Sequence, residues 1–311
     1  MRISTNQQFY GPTQSILDAQ SRLFNTQNQL ATGRRIVTPK DDPVGASRVV
    51  LIEHSQSVNS QYMAAQSIAS SQLAMTESML GSITNTLQSI HSYAVQGGDG
   101  AYSDTERIAL ATQIEQQLDS LVDMANTKGA TGDYVFGGYR SNTQPFQVVD
   151  KDSGYIQYNG DGGSQKLQIE ASSTVGITEN GSEAFLRITS PDGTPTGESM
   201  FDSVKKMIDY LKTPDAPKVA IDEYNSALSN ITTSIDHISR VRATVGSRMV
   251  LVESLNNADK DLDIQYATTK SGIADLDYAA AISAFNQEQT QLQAAQMGFT
   301  KLTERNLFDY L

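Results

Sequence analysis

The sequence predicts a mainly α-helical protein: a long antiparallel helical rod, or coiled-coil bundle, formed by both chain ends, with a small all-β insert domain in the middle. Apolar residues recur at three- and four-residue steps through the first 130 residues and again after residue 200, the spacing that lines one face of a helix. From about Thr131 to Ser199, short β-type runs alternate with turn residues instead. The helical stripes are narrow, so the two halves should pack on each other as a rod, the insert sitting at one side or tip; a compact bundle of shorter helices is the competing picture.

The first helix is drawn by Ile16-Leu17, Leu23-Phe24 and Leu30-Ala31, pairs that repeat every seven residues and read as one narrow seam. It ends at Thr32-Gly33, because glycine takes the left-handed conformation that closes a helix. After the loop 34–42, Asp42-Pro43 reads as N-cap and first helical position. A long second helix runs through Leu51, Val58, Tyr62, Leu73, Leu80, Leu87 and Ala94, with one extra residue of phase between Ala69 and Leu73. Such a stutter locally unwinds a supercoil. Gly97-Gly98-Asp99-Gly100 breaks it, and Ser103-x-x-Glu106 is a capping box that opens a third helix through Ile114, Leu118 and Leu121.

In the insert, five or six strands are expected among 134–136, 146–149, 155–158, 166–169, 175–178 and 185–189, with Asn159-Gly160-Asp161-Gly162-Gly163 as the strongest turn. Helical spacing returns at Phe201, Val204, Ile208 and Leu211. The cleanest heptad run follows, from Ile221 through Tyr224, Leu228, Ile231, Ile235, Ile238, Val245 and Val252. Arg242 interrupts it; a buried charge there must either reach solvent along its stem or meet a carboxylate of the opposite helix. A last helix carries Ala281, Phe285, Leu292, Phe299 and Leu302. Three regions result: a terminal helix pair (1–42 and 275–311), a helical rod (43–130 and 200–274) and the β insert (131–199).

Composition excludes several functions. Across 311 residues the formal net charge is -12, the wrong sign for displacing counterions from nucleic acid. Cysteine is absent, which removes disulfides, thiolate metal sites and a cysteine nucleophile. The three histidines, His54, His91 and His237, show no His-Glu-x-x-His spacing. Asp150-x-Asp152 starts like a calcium loop, but Tyr155 stands where glycine is needed. Ser203-Val204-Lys205-Lys206 lacks the companion motifs of acyl-transfer enzymes. No catalytic residue, metal ligand or cofactor site is therefore expected, and no apolar run is long enough to span a membrane. No secretory signal is expected either, since the first residues lack an apolar core. About a third of the chain is Ser, Thr, Asn and Gln, which suits helices that lie against other protein.

The two extremities have seams but little else to bury. They are expected to be loosely ordered in a lone copy and to order when sister subunits supply apolar surface. The residues expected to carry that packing are Ile16, Leu23, Leu30, Phe285, Leu292 and Phe299, with the apolar terminus Leu307, Phe308 and Leu311. The bland reading of the charged loop of Arg34, Arg35, Asp41 and Asp42 is a solvated turn; the reading favoured, on the resemblance given next, is a pairing site with the next subunit, and the four count among the assembly-interface residues.

Leu30-Ala31-Thr32-Gly33-Arg34-Arg35-Ile36 followed by Pro39-Lys40-Asp41-Asp42-Pro43 resembles the N-terminal motif of the flagellin superfamily. Asp277-Tyr278-Ala279-Ala280-Ala281-Ile282 with Asn306-Leu307-Phe308-Asp309-Tyr310-Leu311 resembles its C-terminal partner, and the segment from Arg242 to Arg248 its rod. Gly132-Asp133-Tyr134-Val135-Phe136-Gly137-Gly138-Tyr139 is similar to the entry into the β domain of the superfamily's hook–filament junction type. The resemblance implies a structural subunit of the extracellular flagellum. It would polymerise as a junction between hook and filament, against copies of itself, the first hook-associated junction protein and flagellin. It implies secretion through the type III export apparatus, with an export chaperone covering Phe285, Leu292, Phe299 and Leu302. The alternatives are a filament-forming flagellin and, more remotely, a type III needle-tip or adhesin-like binding protein.

Overall fold

The computed structural model describes residues 5–129, 132–150, 155–190, 193–215 and 221–304. Helices dominate both halves: α1 (Thr5–Thr32), α2 (Pro43–Gly98), α3 (Asp104–Ala125), α4 (Met200–Lys212), α5 (Ile221–Ala274) and α6 (Tyr278–Glu304). Between α3 and α4 lie β1 (Phe146–Asp150), β2 (Tyr155–Tyr158), β3 (Lys166–Gln168) and β4 (Thr174–Gly176), with a π-helical turn at Ser182–Leu186. The chain divides into two compact units, one of Met1–Ser60 with Asp261–Leu311 and one of Gln61–Lys260.

In the Gln61–Lys260 unit, α2 and α5 run antiparallel. On α5, Tyr224, Ile231, Ile238, Val245 and Val252 fall seven apart and all are buried. They join Leu73, Leu80, Ile83, Leu87 and Ile90 of α2 in one core. Arg242, the residue that broke the heptad, meets a carboxylate: its Nη2 donates to Glu77 Oε1 at 2.7 Å and its Nε at 3.1 Å. The pair is partly solvated, Arg242 at 35% and Glu77 at 29% side-chain exposure, although the second Glu77 oxygen, Oε2, is buried with no hydrogen-bond partner among the described residues. A second polar layer is buried. Gln66, fully enclosed, accepts from Asn256 at 3.1 Å and donates to Asp259 at 2.6 Å and to the Ile169 carbonyl at 3.0 Å. Every partner there is specific to one register, the use to which polar seam residues are best suited.

The Gly97-Gly98 step ends α2, but its second role is close approach. A Cβ on Gly98 would lie 2.3 Å from the Tyr224 ring, and one on Gly97 2.3 Å from Leu211. The capping box forms as read, Ser103 Oγ accepting from the Glu106 N–H while Glu106 accepts from the Ser103 N–H at 2.9 Å. α4 then buries Met200, Phe201, Val204, Met207, Ile208 and Leu211 beside α3.

The β region differs from the expectation in strand number. Among the described residues it holds two antiparallel two-stranded sheets, β1–β2 and β3–β4. The run 134–136 is a turn with one isolated bridge, Lys128 to Tyr134. The run 185–189 overlaps the π-helical turn, where Phe185 is drawn into an aromatic cluster instead of a ladder. Phe136 and Phe185 stack edge to face at 4.9 Å, and Phe146 lies 5.1 to 5.6 Å from Tyr158, Phe201 and Phe185. β-propensity was real at both runs, but these rings gained more by burial together than by pairing their backbones. Of the segment that starts at Asp150, residues 151–154 lie outside the described residues.

His237 of α5 holds this turn. With Nε2 donating to the Glu183 carbonyl at 2.9 Å, Nδ1 accepts from the Thr189 N–H at 3.4 Å and its hydroxyl at 3.1 Å. That assignment requires a neutral ring, and burial, together with the neighbouring Arg240 cation, pushes its pKa below the ordinary 6.5 against the pull of Glu183. Because the folded value is depressed, the contribution is complete above the ordinary pKa and is lost as pH falls through it toward the folded value. The melting temperature of the wild-type chain is expected to drop from pH 7.5 to 5.5 more steeply than that of His237→Gln; parallel pH profiles would count against this.

Candidate assembly surface

At the root of the terminal pair the chain crosses from α1 to α2 and from α5 to α6, and the two crossings are tied together. Gly33 adopts φ +68°, and its carbonyl accepts from the Leu276 N–H at 3.0 Å. The Arg35 N–H donates to the Ala274 carbonyl at 2.7 Å, while its guanidinium donates to the Ile273 carbonyl at 2.6 Å and to Asp42 at 3.2 Å. Asp41 accepts from the Thr38 and Val37 N–H groups at 2.7 and 3.1 Å, and Asp42 accepts from Gly45 at 2.8 Å as the N-cap of α2. These backbone donors hold both carboxyls below the usual carboxylate range. Arg35, Asp41 and Asp42 thus fasten their own chain, whereas Arg34 is exposed and tied through its backbone bridge to Asp275. Glu53–Lys270 at 2.7 Å and Gln56–Asp263 at 2.9 Å continue the α2–α5 pairing next to this root.

A methyl group at position 33 would sit in the left-handed region and 2.8 Å from the Tyr278 hydroxyl. Gly33→Ala is expected to cost about 1–2 kcal/mol. Chemical denaturation that follows loss of α1 and α6 should show it, and an unchanged midpoint would refute it.

From this root, α1 and α6 run antiparallel and pack on one another. Gly33 lies level with Leu276, and Phe9 meets Phe299 edge to face at 6.4 Å. That register sets Ile16 level with Leu292 and Leu23 level with Phe285, and all four, with Leu30, are half-buried. Each heptad pair is therefore split. Its first member turns into the seam, while its second faces outward: Leu17 is 53% exposed and Phe24 62%. One heptad earlier Tyr10 is 71% exposed, and on α6 Ile282 and Met297 are 51% and 61% exposed. Reading the pairs as one seam missed this second stripe; its signal was the adjacency of two large apolar residues, since two neighbours on a helix diverge by about 100°. Leu302 belongs to α6, and Leu307, Phe308 and Leu311 lie outside the described residues.

The exposed face of this pair is apolar at these positions. Among the described residues no group of three His, Asp or Glu side chains is placed to hold a metal ion, and no helix is long and apolar enough to cross a membrane. What it offers is a regular apolar stripe on paired helices.

Comparison with known proteins agrees from end to end. The chain is 33% identical to the flagellar hook-associated protein 3 of Escherichia coli, over 99% of both chains. It belongs to the hook-associated protein 3 family. The bacterial flagellin N-terminal helical region matches residues 3–141 of this family member, and the flagellin C-terminal helical region matches residues 228–311. A flagellin of Salmonella oranienberg is 25% identical and is matched over only 54% of its own length. The fold is also that of the flagellar junction protein FlgL from Legionella pneumophila, with a TM-score of 0.63 and 22% identity over 73% of this chain and all of that one. Apart from α4 and the first turns of α5, the helices thus lie inside the stretches that match the flagellin N-terminal and C-terminal helical regions.

Proposed function

We propose that this chain is a structural, non-enzymatic subunit of the bacterial flagellum that polymerises as a junction between hook and filament. The observation that carries the reading is full-length likeness to hook-associated protein 3, joined to an outward apolar stripe that a lone copy leaves wet. The terminal segments, 1–42 and 275–311, would pack with those of sister copies and build an inner tube, ordering fully only there. Neighbours would be copies of the chain, the first hook-associated junction protein on one side and flagellin on the other. The subunit would travel through the type III export apparatus to the cell exterior. A chaperone would shield Phe285, Leu292, Phe299 and Leu302.

Deleting the gene is expected to leave intact hooks, flagellin shed as monomers and no motility. Purified protein should add to hooks bearing the first junction protein and stop. Long filaments grown from the purified protein alone would overturn the reading in favour of a flagellin. Hydrogen exchange before Asp42 and after Leu276 should be faster than in the α2–α5 core in dilute monomer and should slow on assembled hooks.

A further inference from the structure

The sequence holds two Asn-Gly steps, Asn159-Gly160 and Asn180-Gly181, and the fold treats them oppositely. Asparagine before glycine is prone to lose its side-chain amide, because no Cβ shields the glycine nitrogen and its backbone turns freely toward the carboxamide carbon. The attack needs an N–H that no acceptor holds, a carboxamide free to rotate, and water. At the second step these are withheld. The Gly181 N–H donates to the Phe136 carbonyl at 3.2 Å, and Asn180 Oδ1 accepts from the Ser182 N–H at 2.9 Å. Gly181 is buried, and a Cβ there would lie 2.9 Å from the Phe146 ring.

The first step is open. Asn159 prolongs the β1–β2 pairing with its N–H on the Pro145 carbonyl at 2.8 Å, and the chain then leaves the ladder. Among the described residues the Gly160 N–H has no acceptor, and both residues are only half-buried. The Asn159 carboxamide makes one bond, Nδ2 donating to Gln147 Oε1 at 3.3 Å on the exposed side of the hairpin. Its oxygen is unheld.

We infer that Asn159 is a self-modification site, at which the Gly160 nitrogen attacks the Asn159 Cγ. The new N–Cγ bond closes a five-membered imide as the Cγ–Nδ2 bond breaks, and the Gly160 amide proton leaves with Nδ2 as ammonia. Water then adds at one imide carbonyl. Addition at Cγ leaves an ordinary aspartate; addition at the backbone carbonyl leaves an isoaspartate, whose main chain is one carbon longer. Either product sets a new carboxylate near Asp161, whose own carboxylate accepts from the Tyr139 and Gly163 N–H groups at 2.8 and 2.9 Å. The longer chain is also crowded: a Cβ on Gly160 would already lie 2.4 Å from the Tyr158 hydroxyl and 2.8 Å from the Gly137 carbonyl. Modification thus loosens the turn that seats the Tyr158 ring on Phe146.

The full chain is held for days in mildly alkaline buffer, digested, and its peptides weighed. The peptide containing Asn159 is expected to gain one mass unit, in two separable forms, about tenfold faster than the peptide containing Asn180, because hydrogen bonds must first open at the second step. In urea, where neither step keeps its fold, the two rates should converge. Equal rates in native buffer, or a faster gain at Asn180, overturn the inference. So does a tenfold gap that persists in urea, since the fold would then not be its cause. Conversion of both steps in urea and of neither in native buffer also overturns it, because the turn would guard Asn159 as well. Asn159→Gln, whose longer side chain would have to close a larger ring, should abolish the gain at that peptide and leave Asn180 as before; a gain that survives places the modification elsewhere.

Discussion

Replacing Leu17 and Phe24 together by Asp is expected to abolish incorporation onto hooks while leaving the monomer's melting temperature nearly unchanged. Both side chains are more than half exposed in the lone chain, and exposed substitutions away from caps and networks shift stability by only about 0.5 kcal/mol. In the proposed assembly each would be buried, a gain of about 1.5–3 kcal/mol per large apolar side chain. The substitutions forfeit that gain and set two carboxylates into a sister subunit's apolar surface. Because every copy presents the stripe, the loss repeats at every contact around the ring. The matched control is Ile16→Asp with Leu23→Asp, which should unseat α1 from α6 within one chain and lower monomer stability first. Sedimentation with hooks, alongside circular dichroism of the free protein, separates the two cases. Normal incorporation of the Leu17/Phe24 pair would remove the stripe from the assembly surface.

The largest loss of folding stability is expected from Phe146→Ala. The ring is fully buried against Tyr158, Phe185 and Phe201, and truncating such a phenylalanine costs about 3–5 kcal/mol. Its backbone is also anchored: the Asn126 amide donates to the Phe146 carbonyl at 2.8 Å and its oxygen accepts the Phe146 N–H at 2.9 Å. Asn126→Ala breaks that reciprocal pair without opening the aromatic cluster, and a smaller cost of about 1–3 kcal/mol is expected. Urea denaturation of the three proteins should rank them wild type, Asn126→Ala, Phe146→Ala. A Phe146→Ala midpoint equal to wild type would mean the cluster relaxes into the gap. Most packing of the β region on α4 would then come from elsewhere.

How legible these features were depended on whether local chemistry settled them. The Ser103–Glu106 box, the Gly33 terminus and the Asp42 cap use donors and acceptors a few residues apart, and the structure forms all three. The α5 heptads were equally plain, because a seven-residue repeat leaves one face to bury. The turns at 134–136 and 185–189 were not, since whether Phe136 and Phe185 pair as strands or gather as rings depends on Phe146 and Phe201 from other elements. The same limit applied to Arg35, Asp41 and Asp42. Their types announced a charged loop, but only the approach of the Ile273 and Ala274 carbonyls shows which groups Arg35 bonds within the chain.

By itself the sequence determined the periodicities: where helices begin and stop, which residues share a helix face, and that both ends carry more apolar surface than they can hide. Tertiary structure alone decided which of two adjacent apolar residues points inward. Ile16 and Leu17, or Leu23 and Phe24, have nearly equal transfer energies, so burial energy could not choose between them. The choice fell to the register that sets Phe9 against Phe299 and Gly33 against Leu276, a geometric fact of two helices meeting.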